Sequence, residues 1–514
     1  MAADESKIPF GLDRRELKKF DKDLCGKRIN HDVKSDFVAA PHLNRIYRKA
    51  YDKLFEMTMT ALNSGNFAPS APLTMDVPKT SRMSVSGSRR KGPPFSRPGS
   101  ILMPKDRVFY QLLGDHAAPI IEGRIDRGTC YSHVFEPESP DMFFSSRDCW
   151  GALQKEIRRV IRHKGYKYVL KCDATDYFSN INHHILVNHM YDAGFPKPMA
   201  NALEKTLMRF TGSRSSRGII QGVLTSDLLG NFYLSGVDEE MSRAKYEVVR
   251  YVDDVYIFLN SIHEAEDAAR QLTRSMRSFD LGINESKTYL TTTQKLLADE
   301  PDLDDLFEEA ISEVESDLED EDLDINYGVL AEWFEDDVAD DQDREDVEMR
   351  AVRRLFDAID DFPGAIENIE RFCLPLFAKF GDDYAVDHVV ANLERRPAMA
   401  QIYASYLSKY LENANVATAL SKGVQSDSVF FDWQRMWWAG ALLRRKKISS
   451  RYVNYLVDIA TSPRRHVGFR AIAAISVWKF GTYNKRRALN TAYDDAGSPY
   501  LQSAILYGSW YQGG

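Results

Sequence analysis

The sequence has no cysteine pattern that would build a zinc site or a disulfide framework. Its five cysteines are scattered, without Cys-x-x-Cys or Cys/His spacing. This scatter is typical of proteins in a reducing cytosol. No apolar run approaches the roughly 18 residues of a membrane span, and the first residues have no apolar core of a secretory signal. We therefore expect a cytoplasmic globular protein with no membrane partner.

Basic residues are scarce in one stretch only. Residues 299–348 contain 25 acidic residues and a single basic residue, Arg344. The chain of 514 residues has a net charge of −9, yet outside this stretch 66 Lys and Arg face 51 Asp and Glu, a balance of +15. The body of the protein is therefore basic, which suits a polyanionic partner. Apolar residues at helical spacing indicate that the acidic stretch forms amphipathic helices, and a nucleic-acid mimic that docks on the basic body is the alternative.

The most informative motif is a pair of adjacent acids between two apolar, β-rich runs. Tyr251, Val252, Asp253 and Asp254 lie at the centre of residues 248–259. This pattern predicts a hairpin with both carboxylates at the bend. Two carboxylates on a rigid turn suit two divalent cations about 4 Å apart, which can stabilise both oxygens of a phosphoryl displacement. Because Asp is common in turns, an ordinary acidic turn is the alternative for this motif alone.

A third acid follows another predicted strand. Residues 166–172 are rich in β-forming side chains and end at Asp173, just before a predicted helix. This is a common site position in α/β sheets, although Asp173 as a helix N-cap is the alternative. Residues 221–226 are a polar entry to a helix that reaches about Met241. The order of these elements predicts an α+β domain with a small antiparallel sheet.

The flanking segments are interpreted from their composition. Residues 1–65 are charged and helical in pattern. Residues 66–100 are rich in Ser, Pro, Gly, Lys and Arg, and they are predicted to be a loop. The cations of this loop either hold phosphates or belong to a solvated linker. These cations are Arg89, Arg90, Lys91 and Arg97.

From about residue 346 the helical pattern continues to the end and predicts a stacked helical array. Trp433, Trp437 and Trp438 are expected to be core residues rather than stacking platforms. The predicted helices cover residues 350–360, 364–380, 384–396, 398–412, 428–445, 449–461, 466–480 and 484–494.

Taken together, these residues resemble the palm of reverse transcriptases. Four motifs of that family are matched in order and spacing, by residues 173–181, 221–238, 251–254 and 281–288. Residues 101–124 resemble the fingers segment of the bacterial enzymes. The resemblance covers about residues 95–290.

The resemblance implies a role for each matching residue. Asp173, Asp253 and Asp254 would be catalytic and would hold two Mg²⁺ ions, with Mn²⁺ as a substitute and with help from the Ala174 carbonyl. Phe178 would crowd a ribose 2′-hydroxyl and so select dNTPs. The residues that would bind the nucleotide are Lys105, Arg107, Phe178, Gln221, Gly222 and Lys287.

The surroundings of the palm narrow the resemblance. The sequence shows no nuclease, RNase H or zinc module, and a large helical region follows the palm, as in the abortive-infection and defence-associated reverse transcriptases of bacteria. This implies a right-hand palm and fingers followed by an all-α, HEAT-like C-terminal domain, assembled as a trimer or hexamer in the bacterial cytoplasm. Four segments are expected. They are an N-terminal helical segment (residues 1–65), the fingers and palm (66–295), an acidic insert (296–348) and a helical C-terminal domain (349–514).

The expected function is therefore a reverse transcriptase-type polymerase that turns dNTPs into a DNA product in antiphage defence. It would make low-complexity or homopolymeric DNA, either untemplated or on a partner noncoding RNA. Some members of the group start synthesis from a protein hydroxyl, which makes Tyr507 and Tyr511 candidate priming residues; packing or an oligomer contact is the alternative for both. The competing functions are a template-copying retron-like or mobile-element enzyme and a non-catalytic RNA-binding scaffold.

Overall fold

The computed structural model describes residues 12–86, 91–212, 215–299, 310, 342–362 and 365–512. Most of these residues are helical, and the strands form two small antiparallel sheets. In the described ranges, no helix is long and apolar enough to cross a membrane. Most of the acidic stretch lies outside the described residues, as do Arg89 and Arg90.

The first part of the chain contains both sheets. Its helices are α1 (Arg14–Leu17), α2 (Lys22–Asp32), α3 (Pro41–Asn63), α4 (Pro104–Glu122), α5 (Ser146–Lys164), α6 (Tyr177–Asn180), α7 (His183–Asp192), α8 (Lys197–Phe210), α9 (Leu224–Arg243), α10 (Ile262–Ser278) and α11 (Thr293–Asp299). Its strands are β1 (Leu73–Ser84), β2 (Lys91–Ile101), β3 (Tyr168–Cys172), β4 (Glu247–Tyr251), β5 (Asp254–Leu259) and β6 (Tyr289–Thr292).

Strands β1 and β2 form a two-stranded ribbon where the composition predicted a loop, so that prediction was wrong. The register pairs Pro78 with Ser96 and Asp76 with Pro98. Proline is tolerated here because each strand of a two-stranded ribbon is an edge strand and needs hydrogen bonds on one side only. Met75 and Val77 alternate with polar residues and are buried, which anchors one face of the ribbon.

The four-stranded sheet has the order β4–β5–β3–β6, and every pairing is antiparallel. The predicted hairpin at residues 248–259 is confirmed as β4 and β5. Alternate residues of the sheet face opposite sides, as strand geometry requires. Val169 and Phe258 pack in one core with residues of α5, whereas Leu170 and Ile257 pack in another with residues of α9 and α10. The sheet is therefore covered on both faces, which makes it a rigid support for its turns.

The C-terminal part is helical in all of its regular elements that the structure describes, apart from two short 3-10 turns. Its helices are α12 (Gln342–Asp357), α13 (Ile366–Phe380), α14 (Val386–Asn392), α15 (Ala400–Leu407), α16 (Ala414–Gln425), α17 (Asp432–Leu442), α18 (Ser450–Thr461), α19 (Val467–Phe480), α20 (Tyr483–Asp494) and α21 (Pro499–Gln512). Trp433 and Trp438 are buried, as predicted, and Trp437 is partly buried. Helix α16 was missed because small and polar residues dominate it, although Asn413 caps its first turn.

One apolar core crosses the expected segment boundaries. It joins Tyr47 of α3 and Met75 of β1 to residues of the C-terminal helices, such as Phe469. The indole of Trp433 donates a hydrogen bond of 2.6 Å to the carbonyl of Phe37, in the loop before α3. The N-terminal helices and the ribbon thus pack on the helical C-terminal region. That region therefore lies next to the β1–β2 ribbon.

Candidate active site

The acidic turn between β4 and β5 has two loop residues, Val252 and Asp253, because Tyr251 and Asp254 form the last pair of the ladder. Val252 has φ of 53°, in the left-handed region that β-branched residues rarely adopt. A positive φ at the first loop residue is the pattern of a type II′ hairpin turn, whose twist matches that of the strands. The strained residue must therefore be held by its surroundings.

Two hydrogen bonds hold Val252 in this conformation. Its amide donates to Ser132 Oγ at 2.8 Å, and its carbonyl accepts from Arg250 Nη1 at 2.9 Å. Ser132 is in place because residues 129–131 run alongside β4, with Arg250 N donating to Thr129 O at 2.8 Å. Both polar groups of the strained residue are therefore satisfied by the protein.

Arg250 is the centre of a fully buried polar network beneath the turn. Its Nε donates to both carboxylate oxygens of Asp238, at 2.9 and 2.8 Å, and its Nη2 donates to Asn231 O at 2.9 Å. Asn231 Nδ2 donates in turn to Ser132 O at 2.5 Å. We refer to Ser132, Asn231, Asp238 and Arg250 as the Arg250 network. A buried charge needs such compensation, because an unpaired one is very costly.

The Arg250 network was not predicted from the sequence. Asn231 and Asp238 were part of the second motif, but no function followed from them. The available signal was an arginine inside an otherwise apolar strand, since a charged residue at that position requires a buried partner.

The sheet register brings Asp173 to the acidic turn. Cys172 at the end of β3 pairs with Val255 in β5, so the next residues along, Asp173 and Asp254, follow on at the same edge. Asp173 Oδ2 accepts from Asn284 Nδ2 at 2.9 Å, and Oδ1 lies 3.2 Å from Lys287 Nζ. The fourth motif therefore holds the carboxylate of the first.

The carboxylates repel one another at this edge. Burial, together with the neighbouring charges of Asp254 and Asp173, raises the pKa of Asp253 from 3.8 to about 7. A divalent cation would relieve this repulsion, and carboxylate oxygens are the ligands that Mg²⁺ prefers. Among the described side chains there is no group of three or more His, Cys, Asp or Glu already arranged around an ion position, and Asp173 faces Asn284 and Lys287 instead. The chemistry of the donors thus fits a metal, although they are not gathered around one point.

These acids open into a cleft of about 1010 Å³. Its wall also includes residues of the β1–β2 ribbon, such as Lys79 and Arg97, and Arg371 from α13. The cleft brings together the following predicted site residues: Asp173, Ala174, Phe178, Gln221, Asp253, Asp254 and Lys287.

Residues 129–317 match the family model described as Reverse transcriptase (RNA-dependent DNA polymerase). We refer to residues 129–317, which match this model, as the reverse transcriptase domain. The match includes Asp173, Asp253 and Asp254, the whole four-stranded sheet and the Arg250 network. None of the curated proteins compared with the chain matches it significantly. The reverse transcriptase domain excludes the β1–β2 ribbon and almost all of the helical C-terminal region, which nevertheless line its cleft.

Two cations expected to bind the nucleotide lie elsewhere. Arg107 is buried and forms ion pairs with Asp32 at 2.6 Å and with Asp36 at 2.7 Å, so its guanidinium joins α4 to α2 and to the loop that follows it. Lys105 lines a separate, mostly apolar pocket beside Met57. Packing against α2 and α3 thus places both residues outside the lining of the cleft, and their contact with a triphosphate stays a prediction.

Gly222 has φ of 83°, and a Cβ at this position would lie 2.5 Å from the ring of Phe37. Glycine is required here by the close approach of that ring. From the sequence Gly222 was expected to bind the nucleotide, whereas its observed close neighbour is a side chain of the protein. Gln221, the preceding residue, does line the cleft.

The two candidate priming tyrosines lie on α21. Tyr507 is partly buried and packs against the C-terminal apolar core. The next residue, Gly508, packs closely on Trp478, because a Cβ at Gly508 would lie only 2.6 Å from the Trp478 ring. Tyr511 belongs to the last turn of the same helix. The position of Tyr507 agrees with the packing alternative.

Proposed function

We propose that this protein is a DNA polymerase of the reverse transcriptase type that joins dNTPs by two-metal catalysis. The observation that carries the proposal is the position of Asp253 and Asp254 on a held turn, at the same edge as Asp173 and inside one cleft. A non-catalytic scaffold has no use for carboxylates that repel one another at a buried edge. A polymerase needs them there to bind cations.

Each residue of the cleft has a proposed task. Asp173, Asp253 and Asp254 would hold two Mg²⁺ ions, which lower the charge of the triphosphate and favour ionisation of the primer hydroxyl. Phe178 would exclude the ribose 2′-hydroxyl. Its ring packs closely on Gly230, where an added Cβ would lie only 3.1 Å from the ring. Lys287, now 3.2 Å from Asp173, would be released by the cations and face the leaving pyrophosphate.

The first test uses purified protein with each dNTP and Mg²⁺, with and without an annealed primer–template, beside the Asp253→Ala/Asp254→Ala variant. Product that requires both acids supports the proposal. Product only on the primer–template would identify a conventional template-copying enzyme. No product under any condition, with RNA binding retained, would favour the scaffold instead.

The proposed biological role is antiphage defence through DNA of low complexity. Its support is the combination of a reverse transcriptase domain with a long helical region that lines the same cleft. RNase treatment of the purified protein distinguishes the two forms of the proposal, because loss of synthesis indicates a noncoding RNA template and unchanged synthesis indicates untemplated addition. A phage challenge of cells that carry the wild-type or the Asp253→Ala/Asp254→Ala protein tests the role itself, and equal phage yields would refute it.

Protein priming by Tyr507 or Tyr511 is the most detailed part of the proposal. Tyr507 packs against the C-terminal apolar core and would have to leave this packing to act as a primer. The test is whether labelled DNA stays on the protein through denaturing electrophoresis and is released by proteinase. DNA that remained attached to the Tyr507→Phe/Tyr511→Phe variant would exclude both tyrosines.

A further inference from the structure

Part of the cleft wall comes from the helical C-terminal region, far along the chain from the catalytic motifs. Arg371, on α13, and Ala398, just before α15, line the same cleft as Asp253 and Phe178. Arg371 is exposed and has no hydrogen bond or ion pair to any residue that the structure describes. A cleft cation that has no partner among the described residues can bind a ligand.

A second guanidinium faces the same space. Arg97, on β2, lines the cleft, and its Nε is buried without a hydrogen-bond partner in the described part of the chain. Burial and the charge of Arg371 both lower the pKa of Arg97. The ring of Phe37, 5.0 Å from the Arg97 guanidinium carbon, fixes the side chain but supplies no negative charge. Two guanidinium groups that line one cleft and repel each other can be stabilised by an anion that binds both.

Helix α13 is anchored through two residues that precede Arg371. The preceding residue, Glu370, is fully buried and accepts hydrogen bonds from Tyr403 and His388, each at 2.8 Å, and from Arg396. We refer to these four residues as the Glu370 network. One turn earlier, Glu367 accepts a hydrogen bond of 2.5 Å from Thr80 of the ribbon. The position of Arg371 relative to Arg97 is therefore held before a ligand arrives, which reduces the entropy lost on binding.

We propose that Arg371 and Arg97 together bind the triphosphate of the incoming nucleotide, so that the helical region completes the nucleotide site of the reverse transcriptase domain. Guanidinium groups match phosphate oxygens in charge and in bidentate geometry. A triphosphate is favoured over the backbone of a nucleic acid because both arginines line the cleft that contains Asp253 and Asp254, whose cations would bind a triphosphate. The inference rests on the proposed polymerase function, and it supplies cations from the lining of the cleft, to which Lys105 and Arg107 do not belong.

The test compares Arg371→Gln and Arg97→Gln with Arg464→Gln, an exposed arginine of the helical region outside the cleft. Binding of inorganic tripolyphosphate is measured by calorimetry without turnover, and the KM for dNTP is measured in the polymerase assay. Each cleft variant is expected to weaken tripolyphosphate binding and to raise KM roughly tenfold, since a charge-assisted hydrogen bond to phosphate is lost. Arg371→Lys should recover part of the loss, and Arg464→Gln should behave as wild type.

Three other outcomes would contradict the anion site, the choice of ligand or the polymerase function. Unchanged tripolyphosphate binding in Arg371→Gln would overturn the inference. Weaker binding of a single-stranded oligonucleotide, with tripolyphosphate binding intact, would also overturn it and assign Arg371 to a nucleic-acid backbone. If the wild type bound tripolyphosphate through Arg371 but made no DNA under any condition, the anion site would stand and the polymerase function would fall.

Discussion

The reverse transcriptase domain and the helical C-terminal region each place a buried ionic network beside residues of the cleft, but the two networks have opposite centres. The Arg250 network is built around a cation and lies beneath the turn that carries Asp253 and Asp254. The Glu370 network is built around a carboxylate and lies next to Arg371. In each region the charge at the centre is opposite in sign to the cleft residue that it supports.

The two networks also differ in their contact with water. All four members of the Arg250 network are buried, and they bond to one another and to backbone carbonyls. In the Glu370 network, His388 and Arg396 are 26% and 21% exposed. A closed network with no access to water tolerates little change, whereas an open one can be rehydrated. The turn that carries Asp253 and Asp254 is therefore expected to be the more rigid of the two cleft walls.

The largest effect should follow from removing the acids of the cleft. Asp253→Ala/Asp254→Ala is expected to lower the polymerisation rate by on the order of a thousandfold or more, because several kcal/mol of metal-dependent stabilisation are lost. The single-nucleotide incorporation rate measures this. Arg464→Gln is the control, and activity within tenfold of wild type in the double variant would contradict the assignment of these acids.

The next effect separates the two networks by stability. Arg250→Met leaves Asp238 buried without its cation and should cost about 3–5 kcal/mol in the free energy of unfolding. Glu370→Gln keeps a hydrogen-bonding side chain next to partners that water can reach, so we expect about 1–2 kcal/mol. Urea unfolding measures both variants. Equal costs would show that solvent access does not distinguish the two networks.

A smaller effect tests whether the Arg250 network positions the acidic turn between β4 and β5. Ser132→Ala removes the acceptor of the Val252 amide and is expected to reduce kcat and metal affinity by roughly 10–100-fold, at a cost in stability of only about 1 kcal/mol. Ser476→Ala is the matched control, because this buried serine bonds within α19, to Ile472 O. A loss of stability in Ser132→Ala without a change in apparent metal affinity would leave this residue a purely structural role.

The smallest effect concerns pH. Asp253, with its pKa raised to about 7, must lose its proton to bind a cation. Apparent Mg²⁺ affinity should therefore fall by up to about tenfold per pH unit below pH 7 and level off above it. Without cations, the folded protein holds this proton more tightly than the unfolded chain, so its stability should decline as pH rises from about 4 to 7. Melting temperatures at pH 6 and pH 8 with increasing Mg²⁺ measure both trends, and Asp253→Asn should abolish the pH dependence of the Mg²⁺ effect.

Much of the reverse transcriptase domain followed from short-range patterns. The β4–β5 hairpin and the strand that ends at Asp173 were predicted because alternating apolar residues and turn residues lie close together in the chain. The β1–β2 ribbon was not, since its prolines and glycines have the composition of a loop and its buried residues Met75 and Val77 pack in a core shared with the helical region. Arg107 illustrates the same limit, because its partners Asp32 and Asp36 are distant in the sequence.

The hairpin that carries Asp253 and Asp254 is therefore a property of local sequence, since a strand, a two-residue turn and a strand follow one another in the chain. Its strained turn is nevertheless held by a distant residue, Ser132. The cations that face these acids are a property of packing. Arg371 reaches the cleft only because the apolar core joins the C-terminal helices to α3 and the ribbon, and because Glu370 is bonded to Tyr403, His388 and Arg396. Such packing sums many weak contacts between distant residues, which no single stretch of sequence encodes.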